Sequence, residues 1–95
     1  MKSEKGMKKS LSIHVYGKVQ GVGFRFYTNK KANELGVNGF VKNMRDGSVR
    51  IEAEAEDVVM EEFLSWVKHG PEWARVSKVN VQDVPAQDHI GFTIR

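Results

Sequence analysis

Ninety-five residues fit one domain with a modest core, too few for two. The chain has no cysteine, which excludes a disulfide framework and thiolate metal sites, and no apolar run approaches the ~20 residues of a membrane helix or forms the core of a signal peptide. The net charge of +3 resides in residues 1–10, with four lysines and one glutamate; the other 85 residues carry 11 basic and 11 acidic groups, so the remainder lacks the basic excess that nucleic-acid binding calls for.

Residues 1–10 are therefore expected to be a flexible basic extension, and residues 11–95 a single domain. A cytoplasmic, monomeric protein without membrane or nucleic-acid partners is the corresponding expectation. In chain order, "LSIHVYGK" alternates: Leu11, Ile13 and Val15 face one way, Ser12, His14 and Tyr16 the other, a strand with one buried side. A glycine-rich loop follows. From Phe24 the period lengthens, with Phe24, Thr28, Ala32 and Leu35 on one face of a helix that Gly36 ends. "VNGFVKNM" and "SVRIEAEA" read as a second and third strand joined through Asp46–Gly47, a tight-turn signal. Val59, Met60, Phe63, Leu64 and Val67 make the apolar stripe of a second helix. Asp57 is placed to cap it, and Gly70–Pro71 stop it. "RVSKVNVQDV" is a fourth strand and "IGFTIR" a short closing one.

This order predicts an α+β, ferredoxin-like split β-α-β sandwich. It has an antiparallel sheet of four main strands plus a short C-terminal strand, with two helices on one face. The second strand is expected at a sheet edge beside the third. Such a fold fixes no activity by itself.

The chemistry concentrates in "YGKVQGVGFRFY". Gly17, Gly21 and Gly23 allow successive N–H groups to turn inward at the mouth of a helix, a geometry that attracts anions. Arg25, on the first turn, adds a planar and permanently charged fork. A phosphate or a carboxylate fits. The segment is neither a dinucleotide fingerprint, since Phe26 stands where the third glycine belongs, nor a nucleoside-triphosphate loop, which needs Gly-Lys-Ser/Thr. On spacing alone a plain strand-to-helix turn with a surface arginine weighs about as much.

"GKVQGVGFR", then "GFVKNMRDGSV", then "GPEWARV" resemble the acylphosphatase family, and the similarity runs from about Ser12 to the end of the sequence. The resemblance implies the ferredoxin-like fold and hydrolysis of acyl phosphates to a carboxylate and inorganic phosphate, with no metal and no organic cofactor. It implies that Arg25 binds the phosphate and Asn43 positions the attacking water. The amides of Gln20, Gly21, Val22, Gly23, Phe24 and Arg25 would cradle the phosphate. Phe40 stands where many relatives carry tryptophan. The small-molecule partner would be an acyl phosphate.

The remaining polar residues carry plainer readings. His14, His69 and His89 are scattered, as solvated histidines are, and "EAEAED" reads as the wet side of a strand leading into a helix. Trp66 and Trp73 read as packing residues. Two rivals have some footing. One is a non-catalytic phosphate-binding or interaction domain on the same fold. The other is an RNA-binding module, which "NGFVKN" partly resembles, but the acidic Glu52, Glu54 and Glu56 make a poor surface for phosphate backbones.

Overall fold

The computed structural model describes residues 7–95; residues 1–6, most of the expected extension, lie outside the described residues. The elements run β1 (Lys8–Lys18), α1 (Phe24–Leu35), β2 (Asn38–Asn43), β3 (Val49–Glu56), α2 (Asp57–His69), β4 (Arg75–Asp83) and β5 (Phe92–Ile94). They form one five-stranded sheet in the order β4-β1-β3-β2-β5, with the two helices packed on it.

β1 begins at Lys8, inside the stretch expected to be a free extension. Lys8 lies opposite Glu56 on β3, and the Ser10 hydroxyl donates to its partner Glu54, so an opposite-charge pair and a hydrogen bond carry the strand past its apolar part. β1 pairs antiparallel with both β3 and β4, and β2 antiparallel with β3. β5 departs from the expected antiparallel sheet: it runs parallel to β2, with Val41 opposite Ile94. The sheet is therefore mixed, and β2 is not an edge strand, because β5 covers its free side.

The core lies between the sheet and the helices. Ile13 and Val15 of β1, Val49, Ile51 and Ala53 of β3 and Val41 of β2 are fully enclosed, as the alternation requires. Onto them α1 lays Phe24, Thr28 and Ala32, and α2 lays Met60, Phe63 and Val67, the one-face spacing of a 3.6-residue period. Burying Phe63 alone contributes roughly 2–3 kcal/mol before ordering costs. Gly36 caps α1 in the left-handed conformation, and its N–H donates to the Ala32 carbonyl. Asp57 does not cap α2: Glu56 holds the cap position without a side-chain hydrogen bond, and Asp57 is the first helical residue, where its charge suits the helix dipole.

The β2–β3 connection is wider than a two-residue turn. Met44 N–H donates to the Ser48 carbonyl at 2.8 Å, leaving Arg45, Asp46 and Gly47 as the loop, with Gly47 at φ 93 where a side chain would be strained. Asp46 Oδ1 accepts from the Ser48 N–H at 2.9 Å and from its hydroxyl at 2.6 Å.

On the sheet face away from the helices, Glu54 is only 3% exposed, against the expectation of a wet strand side. Residues 84–91 cross over it: Glu54 accepts from the N–H groups of Gln87 at 2.6 Å and His89 at 2.8 Å, and from the Ser10 hydroxyl at 3.2 Å. Burial pushes the Glu54 carboxyl up, but these donors together outweigh it and hold the group below its ordinary value. His89 is half-buried rather than solvated; its Nε2 lies 3.1 Å from Glu52 and its ring meets Phe40 edge-on. The Arg95 guanidinium covers the other part of Phe40, 3.9 Å from the ring centre.

Candidate active site

A pocket of about 250 Å³ opens where β1 passes into α1. It is lined by Val19, Gly21, Gly23, Phe24, Arg25, Phe26, Asn43 and Ile94. Four elements thus meet there: the end of β1 with its loop, the first turn of α1, the last residue of β2, and β5.

The loop owes its shape to two glycines with positive φ, Gly21 at φ 75 and Gly23 at the helix start. Gly23 holds the N-cap of α1 in the left-handed region, at φ 79 and ψ 15, which glycine adopts without the penalty other residues incur. It brings no side chain to bond the free N–H groups of the helix start, and no acidic residue sits in the first turn. The first amides of α1 therefore lack the partner that a serine or aspartate cap supplies, and the positive end of the helix dipole is uncompensated. An anion in the pocket would satisfy both.

Arg25 follows two residues later and reaches the same pocket. Its Nη1 makes one long contact, 3.5 Å to the main-chain oxygen of Arg95. That engages one of the five N–H groups of the fork, and weakly.

Asn43 ends β2 opposite Val49 and lines the pocket beside Arg25. It is brought there by topology, since β2 and the β1–α1 loop meet only because β3 carries β2 alongside β1. A direct tie fixes this approach. Gln20 Nε2 donates to the Met44 carbonyl and to the Ser48 carbonyl, both at 2.8 Å, clamping the loop onto the turn that follows Asn43.

Of the residues expected to cradle phosphate, Gly21, Gly23, Phe24 and Arg25 line the pocket together with Asn43. Gln20 and Val22 do not: the Gln20 side chain is occupied by the clamp, and Val22 packs against the core. Gly17 belongs to β1, at the irregularity where that strand's pairing with β4 shifts, not to the anion loop. Three lining side chains went unread in the sequence, Val19, Phe26 and Ile94, and the bracing role of Gln20 went unread too. A tertiary contact between residues 24 and 28 positions apart leaves no local pattern to find.

Among the described residues no group of three or more acidic or histidine side chains is placed to hold a metal ion. Nor is any described helix long and apolar enough to cross a membrane.

The family model described as acylphosphatase matches residues 11–94. An acylphosphatase of Mannheimia succiniciproducens is 52% identical over 78 residues, 82% of this chain and 87% of that protein. Among solved structures, an acylphosphatase from Coxiella burnetii superposes with a TM-score of 0.90 at 38% identity, covering 100% of both chains. The acylphosphatase from Bacillus subtilis superposes with a TM-score of 0.89 at 34% identity, over 94% of this chain and 99% of that one. With its fold and nearly the whole of its folded length in agreement with them, the chain belongs to the acylphosphatase family.

Proposed function

We propose that this acylphosphatase holds the phosphoryl group of an acyl phosphate between the first amides of α1 and the Arg25 guanidinium, while Asn43 aims the attacking water. The observation that carries the reading is the convergence of an uncapped helix start, one arginine and one asparagine on a single small pocket.

The reaction asks little more of the protein. A carboxylate leaving group has a conjugate acid of pKa near ~4, so it departs at neutral pH without protonation. Phosphoryl transfer then depends on position and on stabilising charge at the equatorial oxygens. The helix amides and the Arg25 fork supply that charge stabilisation. The Asn43 carbonyl accepts a hydrogen bond from water and its NH₂ donates to a phosphate oxygen. Oxygen of water bonds to phosphorus as the bond from phosphorus to the acyl oxygen breaks. The carboxylate leaves with the bonding pair, and the water proton passes to a phosphate oxygen.

Phe40, the aromatic that an RNA-binding sheet would display, is 5% exposed beneath Arg95, which argues against a nucleic-acid partner. A cysteine-free chain suits the cytoplasm.

The test is turnover of benzoyl phosphate with chelator present, alongside binding of inorganic phosphate. Arg25→Ala should lose at least about 100-fold in kcat and weaken phosphate binding, and Arg25→Lys should not restore either, because a point charge cannot replace the fork. Asn43→Ala should lose about 100-fold in kcat with phosphate affinity nearly kept. Parental turnover by Asn43→Ala would remove the water-aiming role. Phosphate binding without turnover in the parent would make the domain a binder, not an enzyme.

A further inference from the structure

Two pocket side chains have no part in gripping phosphate or water. Phe26, on the first turn of α1, and Ile94, in β5, are 58% and 45% exposed, and both line the pocket that holds Arg25 and Asn43. A single exposed apolar side chain is ordinary. Two of them, brought from separate elements to one small pocket, give that pocket an apolar wall suited to an apolar part of a ligand. Both are held in place: the Phe26 ring stands edge-on against Tyr27 at 5.0 Å, and Ile94 sits opposite Val41 in the parallel ladder.

The displacement itself indicates where the acyl group lies. In-line transfer sets the attacking water and the leaving carboxylate on opposite sides of phosphorus. With water at Asn43, the acyl group extends away from Asn43 and from Lys42 and Arg45, the basic residues that share the neighbouring open surface with it. Of the remaining walls, Val19 and Phe24 are 1% exposed and Gly21 and Gly23 carry no side chain. Arg25 is engaged by phosphate. That leaves Phe26 and Ile94 to meet the acyl group.

We infer that Phe26 and Ile94 form an acyl subsite that selects acyl phosphates bearing an alkyl chain of several carbons or an aryl ring over those with small or charged acyl groups. The inference rests on the hydrolysis and on the water position proposed above. Contact with a flank of the substrate that does not react acts equally on ground and transition states, so the selection appears in KM and leaves kcat to the leaving group.

Acetyl phosphate and hexanoyl phosphate test it, because acetic and hexanoic acids are nearly equal in acidity and the two substrates therefore match in intrinsic reactivity. The parent should favour hexanoyl phosphate about tenfold in kcat/KM, almost wholly through KM. Phe26→Ser and Ile94→Thr should each cut that ratio several-fold, and the double variant should bring it close to one. Equal kcat/KM for both substrates in the parent, or a preference that survives in the double variant, overturns the subsite while leaving the hydrolytic reading intact. A parent that hydrolyses neither substrate overturns that reading and the subsite with it.

Discussion

Gln20 uses both hydrogens of its side-chain amide, one on the Met44 carbonyl and one on the Ser48 carbonyl, and the two bonds join the glycine-rich loop to the turn beyond Asn43. Arg25 and Asn43 come from different parts of the chain, and this clamp ties the loop before one to the turn after the other. A misplacement of about 1 Å can cost 100-fold in rate. Gln20→Glu puts a carboxylate against two carbonyl oxygens at neutral pH, where it has nothing to donate. Its kcat should fall by at least about tenfold, and part of the loss should return as the pH drops through the carboxyl pKa, since the protonated acid donates again. Gln20→Leu should lose rate without that acid recovery. Profiles of kcat against pH for both variants, divided by the parent's, decide the matter; parallel profiles would end the idea. Arg25 stood out because a permanently charged fork follows the glycines on the first turn of a helix, whereas Asn43 was legible only through the resemblance of "GFVKNMRDGSV" to a family motif. Gln20 was legible only as a main-chain amide of the loop, and nothing near it in the sequence announces that its side chain reaches another turn.

The elements follow their local patterns wherever one face is buried. Alternation placed β1 and β3, the 3.6-residue stripe placed both helices, and Gly36 ended α1 as its lack of a Cβ suggests. Alternation tells which side of a strand faces the core but not what covers the other side. Glu54 was for that reason read as wet, while a segment without regular structure lies across it. The same silence hid the direction of β5, since three residues cannot specify a neighbour. The Glu54 clip has a measurable pH signature. Its carboxyl is held below its ordinary value of 4.5, so the folded state gains stability from it above the unfolded pKa and loses that gain as the pH falls through the lower, folded one. Glu54→Gln should cost ~1–3 kcal/mol at pH 7, because the amide offers one acceptor oxygen where two are used. The gap from the parent should close on acidification below about 4.5. Urea midpoints across pH 2–7 would show it, and a gap independent of pH would rule out the charged clip.

At the scale of the whole molecule, ligand and stability are linked. A phosphate held at the start of α1 binds only the folded chain, so inorganic phosphate at 100 times its dissociation constant should stabilise the protein by ~2.7 kcal/mol. In a domain of this size that corresponds to a rise in Tm of roughly 10–20 °C. Arg25→Ala should lose most of the rise at the same phosphate concentration, and calorimetry with and without phosphate measures it. An equal shift in parent and variant would place the anion elsewhere.

β1, the first strand in sequence, occupies the middle of the sheet, between β3 and β4. Both of its ladders close over long stretches of chain, with Leu11 opposite Ala53 on one side and Asp83 on the other. High contact order of this kind slows folding relative to a helical bundle of equal length. Until β4 arrives, β1 also offers a bare hydrogen-bonding edge to other chains. Refolding yield should therefore fall with protein concentration even though the finished fold shields that edge.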